Sequence, residues 1–369
     1  MREVVGRPVP GPRGTERAGG QGRPGPQAKA GLQRTAVEWG FRLLAGRPAA
    51  SEEEFAAFQA MPDIDSLRRA FTNTAEFHAF FDSVLTGQPS WTLPLFLLRP
   101  PTVEGLAWTF EPPTLEHPVS QLCTASQFAD PAFLEIVGAM GLRAAPSRSQ
   151  WEQAWIVSVL ATAGLVAPGR AGLALACGRE RIASLLASRG VQVTATDGQE
   201  REARAAEHRR LELFYPEIIP IADFDQLVRF MRLDTRDVGR VSPAGFDFCW
   251  SLGVPERLGS VQAAVEFLEA SLAPLKPGGL AVHSFAFNLT SETVTWEMPD
   301  LVMLRRPDIE AMAARLRQKG HTLLPLNTHP GLLPEDEMVK TDQVGPPGLR
   351  QRHGVVVSTS FGLAIRKAA

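Results

Sequence analysis

The chain's clearest chemistry lies in residues 171–198. They read Ala-Gly-Leu-Ala-Leu-Ala-Cys-Gly-Arg-Glu, then a short amphipathic stretch, then Val191-Gln-Val-Thr-Ala-Thr-Asp197-Gly198. The order is strand, tight turn, helix, strand, acid, and Asp197 follows Gly178, the last turn glycine, by nineteen residues. A half-unit of this kind holds a ribose-bearing cofactor at the carboxyl ends of parallel strands. It predicts either methyl transfer or dinucleotide chemistry. Two turn positions where glycine is expected carry Ala174 and Ala176 instead.

No second constellation competes. Cys123, Cys177 and Cys249 are too far apart in sequence for a metal-ligand or disulfide pattern. They read as buried thiols packed as small hydrophobes in a reducing cytoplasm. No Asp-x-Asp stands at an expected strand end to hold a metal-bound nucleotide sugar, so no metal is expected.

The elements that must position the site follow from periodicity. Residues 1–33 are expected to be a disordered basic tail: residues 1–30 carry seven Gly, five Pro and six basic side chains against two acidic ones. Such a stretch buries too little apolar surface to offset its chain entropy. Residues 34–87 read as a small helical domain. Ser51-Glu-Glu-Glu54 is a capping box that starts one helix. Leu67 and Phe71 mark a second, and Phe77, Phe80, Phe81 and Val84 give a third its buried stripe. Residues 88–145 are proline-rich at first and read as a linker and wrapping segment. From 146 to 369 helix and strand signals alternate, with a helix over 151–163 and strands over 230–234, 246–251, 280–285, 322–326 and 355–366. Alternation of this kind predicts a mostly parallel sheet covered on both faces.

Composition narrows the classes. The 369 residues are 44% hydrophobic with a net charge of −2, so a sizeable core is available and nothing global argues for nucleic acid. No run of eighteen apolar residues predicts a membrane span, and the N-terminus shows no signal-peptide pattern. A cytoplasmic location is therefore expected.

From about residue 118 onward the chain resembles class I S-adenosylmethionine-dependent methyltransferases, more narrowly a bacterial branch associated with glycan and secondary-metabolite loci. The likeness is carried by His117–Phe128, Gln150-Trp-Glu152, the loop 172–180, Phe246–Ser251, Glu256–Ser260, Leu275-Lys-Pro-Gly-Gly279, Val282-His-Ser284, Phe287-Asn-Leu289 and Val357–Phe361. Residues 35–86 resemble a small helical module found attached to such proteins, and a protein partner is expected there.

The resemblance implies a Rossmann-like α/β fold: a seven-stranded, mostly parallel sheet with its last strand antiparallel, preceded by a small all-α domain. It implies S-adenosyl-L-methionine as cofactor and a small-molecule or glycan acceptor, methylated on oxygen. Ala176, Gly178 and Arg179 would form the cofactor loop, a helix starting near Arg179 offering its amides to the cofactor carboxylate. Asp197 and Gly198 would meet the ribose, Asp234 the adenine, and Ser251 and Leu252 the region of the methyl group. Glu256 and Asn288 would bind substrate. His283 would be the general base, its bland alternative being a structural histidine. The helix 151–163 would lie over the cofactor cleft, and the insertions 291–304 and 329–349 would form a lid.

This sequence departs from the family pattern near the site. Besides Ala174 and Ala176, Arg257 stands where relatives show histidine, Ala286 where they carry an acid, and Gln150 where they carry a basic residue. That pattern keeps a second expectation open: a catalytically degenerate, methyltransferase-like scaffold in a glycan-assembly pathway. A pocket blocked by the Ala176 methyl or the Arg257 side chain would favour it. A nicotinamide oxidoreductase is disfavoured, since one fingerprint glycine of three remains.

Overall fold

The computed structural model describes residues 32–45, 48–74, 77, 94–198, 203–241, 245–341 and 348–369. The expected tail, most of the helix through Phe80–Val84 and part of the proline-rich linker lie outside these residues. The chain divides into two compact units at Gly87/Gln88.

In the first unit, α1 (Arg34–Gly40) continues into a π-turn over Phe41–Ala45 and is followed by α2 (Glu52–Gln59) and α3 (Ile64–Thr72). Ser51 caps α2 by accepting from the Glu54 N–H at 3.1 Å. The Glu54 carboxylate reaches back to the Ala50 N–H at 2.6 Å, one residue before the cap itself. Asp63 caps α3 through the Ser66 N–H. Val37, Phe41, Phe55, Leu67 and Phe71 form the buried centre of this unit.

The described residues of the second unit build a twelve-stranded sheet, not seven strands. Its parallel centre is β3 (Ala171–Ala174), β4 (Gln192–Asp197), β5 (Val228–Arg232), β6 (Phe246–Leu252) and β7 (Leu275–Asn288), in spatial order β5-β4-β3-β6-β7. The order reverses between β3 and β6, the place where α/β sheets open a crevice beyond their carboxyl ends. The last strand, β14 (Val356–Arg366), runs antiparallel to β7 over nine residue pairs, and the short β10 (Thr322–Leu323) pairs with it. These seven are the strands expected from the sequence.

The five additional strands are β1 (Trp108–Thr109), β2 (Ser120–Leu122), β11 (Leu326–Asn327), β12 (Val339–Lys340) and β13 (Arg350–His353). Of these, β1 and β2 come from the segment read as linker and β12 from the stretch read as lid, while β11 starts on the last residue of the strand expected over 322–326 and β13 lies between the lid stretch and the last strand. β10 covers only two residues of β14, so much of that edge would stay open; β2 and β13 pair with it instead. Covering an exposed edge removes a template for unwanted pairing. The Lys276–Gly279 turn is absorbed into β7 as an irregularity: Phe246 pairs with Leu275, but Phe248 pairs with Leu280. A separate hairpin, β8 (Trp296–Met298) with β9 (Leu301–Met303), fills part of the insertion after β7.

Helices α4 (Pro131–Ala139), α5 (Arg148–Thr162), α6 (Ile182–Ser188), α7 (Ala203–Leu211), α8 (Ile221–Leu227), α9 (Val261–Ala270), α10 (Arg306–Gln318) and α11 (Pro334–Glu337) complete the unit. On α5, Trp151 and Trp155 are fully buried and stacked at 6.0 Å. Trp155 lies on Gly362 of β14 so closely that a Cβ at residue 362 would overlap the indole. Thus α5 is clamped to the sheet rather than laid as a cover over the cleft. No described helix is long and apolar enough to cross a membrane.

Candidate functional site

The turn after β3 is tied to the end of β4. The Cys177 N–H donates to the Thr196 carbonyl at 2.8 Å, and Thr196 Oγ1 donates back to the Ala174 carbonyl at 2.7 Å. This geometry forces Ala176 to φ 49, and it is the one non-glycine residue with positive φ among the described residues. A left-handed alanine costs about 1–2 kcal/mol, so the strain expected at this position is present.

Beside this turn, at the reversal point of the sheet, lies a cavity of about 480 Å³ lined by Ala176, Cys177, Gly178, Asp197, Gly198, Arg209, Asp234, Thr235, Val254, Arg257 and Leu258. Five residues proposed for cofactor binding line it: Ala176, Gly178, Asp197, Gly198 and Asp234. The Ala176 methyl and Arg257 side chain are on the wall and leave this volume open. Gly198 keeps the end of β4 close to the segment that follows β5: a Cβ there would stand 3.1 Å from Asp234 Cα.

Both acids of the cavity are engaged by the chain itself. Arg209 Nη2 pairs with Asp197 Oδ2 at 2.5 Å and also reaches the Cys177 carbonyl at 3.4 Å. Asp234 caps the turn that follows it through the Arg236 N–H at 2.9 Å and pairs with Arg236 Nη2 at 2.8 Å. The Arg236 contacts hold its carboxyl down at about 2.

Three other residues proposed for the cofactor fall elsewhere. Arg179 turns outward to Glu212, Nη2 to Oε1 2.7 Å, with its side chain largely exposed. No helix starts there, because α6 begins three residues later at Ile182 and the Arg181 N–H is taken by Gln153 Oε1 at 2.9 Å. Instead Glu180 is buried, and burial pushes its carboxyl up while the N–H groups of Glu180 and Gly178 face it. The loop amide expected to meet a cofactor carboxylate is thus faced by one from this chain. Ser251 is buried against His283. Leu252 is partly buried against the core.

His283 is not placed as a general base. It is fully buried, and both ring nitrogens are occupied: Nδ1 by Ser251 Oγ at 2.8 Å and Nε2 by Ser271 Oγ at 2.9 Å. Ser271 Oγ donates its own proton to the Leu268 carbonyl at 2.7 Å. It must therefore accept from Nε2–H, which leaves Nδ1 as the acceptor of the Ser251 hydroxyl. Burial lowers the imidazole to about 3, so it stays neutral and bonded within the core.

Asn288 is also inward-turned. Its Oδ1 accepts from the Thr290 and Ser291 N–H groups at 2.9 and 3.0 Å, and its Nδ2 donates to the Val294 carbonyl at 3.1 Å. It is fully buried and shapes the loop after β7. The stretch 329–349 is pinned rather than lid-like at its described part. Buried Asp336 accepts from the Ala125 N–H at 2.8 Å and from the Leu333 N–H at 3.2 Å.

Glu256 stands differently. It follows Val254 and Pro255 at the mouth of β6, next to Arg257 on the cavity wall, and its Oε2 is buried with no hydrogen-bond partner. Burial, and then the nearby Glu152 carboxylate, raise its pKa to about 7. Glu152 on α5 was not singled out for chemistry from the sequence. It accepts from Ser360 Oγ, which in turn accepts from Arg148 Nε at 2.8 Å. Burial also raises the Glu152 carboxyl. No sequence signal marks Arg209 or Glu180 either: one lies twelve residues beyond Asp197, the other two residues after Gly178.

No protein-family model matches the chain, and no curated protein matches it. Among solved structures, one of a putative sarcosine dimethylglycine methyltransferase from Galdieria sulphuraria is 14% identical with a TM-score of 0.40, covering 65% of this chain and 99% of that one. Magnesium protoporphyrin IX methyltransferase from Synechocystis with bound S-adenosylhomocysteine is 14% identical with a TM-score of 0.37, covering 60% and 86%. The Burkholderia thailandensis 1,6-didemethyltoxoflavin-N1-methyltransferase is 17% identical with a TM-score of 0.37, covering 67% and 92%. Likenesses this loose carry no weight for what this chain does.

Proposed function

We propose that this chain is an S-adenosylmethionine-dependent methyltransferase acting on a small-molecule or glycan acceptor. The observation that carries the reading is the cavity of about 480 Å³ at the sheet's reversal point, with Asp197 and Gly198 on its wall. The antiparallel β14 beside β7 supports it over a dinucleotide enzyme, through the resemblance noted in the sequence.

The residues fit a ribose-bearing ligand at one end of the cavity. Asp197 would accept from ribose hydroxyls once Arg209 yields, and Asp234 would face the base. At the other end Gly178 lets the backbone come close, while Glu180 must move or be protonated for a ligand carboxylate to reach its amide. The cofactor supplies an activated methyl group, so the protein's task is chiefly orientation. His283 gives no reason to expect oxygen as the methylated atom. Glu256, next to Arg257 of the cavity wall, is a titratable group able to receive a proton.

A second reading, a degenerate scaffold, is favoured by Glu180 over the loop amide and Arg209 on Asp197. Residues 34–87 would then serve chiefly to bind a protein partner. Titration calorimetry of the full chain with S-adenosylhomocysteine, and separately with NADH, decides between them. Low-micromolar binding of the former alone, lost in Asp197→Ala, is expected. Binding of neither would overturn the methyltransferase reading in favour of the scaffold.

A further inference from the structure

Three buried polar atoms without hydrogen-bond partners lie around the carboxyl-terminal end of β7: Glu256 Oε2, Ser358 Oγ and Trp296 Nε1. Each such atom is costly to leave unmet. Their placement follows from the strand register. Ser360 pairs with Ala286, and Ser358 with Asn288, so both serines share the sheet face on which α5 lies. Glu256 faces the Ala286 N–H. Trp296 packs on Ala286, Met303 and Val356, with its ring 6.2 Å from that of His353. The indole offers a donor, the serine either role, and the carboxylate an acceptor.

The charges point to what fills this place. Two carboxylates, Glu152 and Glu256, meet here, and Glu152 adds to the cost of charging Glu256. Arg148 and Arg257 draw both carboxyls down, yet burial and Glu152 still leave Glu256 raised, and neither arginine bonds Glu256 Oε2. A cation placed against Glu256 Oε2 would relieve both acids, which a neutral alcohol would not.

We propose that these atoms form the acceptor site and that it takes a small hydroxyl-bearing amine, its ammonium against Glu256 and its oxygen within reach of Ser358 and Trp296. This inference rests on the methyltransferase reading only for the word acceptor; the amine site stands on its own contacts.

Ethanolamine and ethylene glycol differ by amine against hydroxyl and are the probes. Full-length protein labelled with ¹³C at the glutamate side-chain carboxyls is titrated with each at pH 7 and matched ionic strength. Ethanolamine is expected to shift the Glu152 and Glu256 resonances saturably, and ethylene glycol at least tenfold more weakly. Glu256→Gln is expected to weaken ethanolamine binding at least tenfold. Ser358→Ala, which leaves both carboxylates in place, is expected to weaken it about threefold and serves if the first variant does not fold. Equal responses to the two probes, no saturable response, or binding indifferent to both variants would overturn the proposal. S-adenosylhomocysteine calorimetry on the same sample separates the two claims. Nucleoside binding without an ethanolamine response sinks the amine site alone, and the converse sinks the methyltransferase reading alone.

Discussion

His283 offers the sharpest test of the core beneath the site. Its imidazole sits near 3 in the folded chain against 6.5 when free. The folded state therefore binds fewer protons than the unfolded state between these values. Stability is lost as pH falls below 6.5, and the loss levels off only below about 3. One proton corresponds to about 1.4 kcal/mol per pH unit, so the two units from pH 6.5 to 4.5 should cost about 2–3 kcal/mol through this residue. His283→Gln removes the titration while keeping a donor for Ser271 and an acceptor for Ser251. Urea unfolding of both proteins, followed by the fluorescence of the buried Trp151, Trp155 and Trp250, gives the difference at each pH. The wild-type advantage over the variant should shrink by about that amount across the two units. A pH-independent difference would refute the reasoning, as would a His283 ¹⁵N resonance that titrates near 6.5. Either result would return His283 to the list of candidate bases.

Other perturbations separate strain, charge and packing. Ala176→Gly should stabilise by about 0.5 kcal/mol, since relief of about 1–2 kcal/mol of left-handed strain outweighs the added freedom of the unfolded chain; a loss of 1 kcal/mol in urea unfolding would mean that the residue is not left-handed. Glu180→Gln should tighten S-adenosylhomocysteine binding about tenfold, or about 1.4 kcal/mol, by removing a buried carboxylate from the loop amide; unchanged affinity would show that Glu180 does not compete. The buried pair Arg306–Glu310, 2.6 Å apart, ties α10 to the segment before β1 through the Thr102 N–H at 3.1 Å. Arg306→Ala should cost about 3–5 kcal/mol by stranding the buried carboxylate, while replacing both partners with leucine should cost much less; equal losses in the two variants would count against this.

Local pattern alone determined the parallel core. The turn at Gly178, the acid at Asp197 and the strand–helix alternation after it follow from short-range steric and periodic rules, and the cavity lies where they meet. The extra strands were not legible that way. β2 and β13 are short segments without strand periodicity, and they become strands because β14 leaves open edges for them. Side-chain roles were legible only where backbone position decides them. Asp197 reaches the cavity because it ends a strand at the reversal point, whereas His283, on an equally plausible strand, is sealed by Ser251 from β6 and Ser271 from the end of α9. Glu152 and Glu256 lie 104 residues apart, and only the packing of α5 onto the face shared by β7 and β14 makes them neighbours. Local order sets which elements form; which carboxylates share a buried environment depends on contacts between distant segments, which no spacing rule encodes.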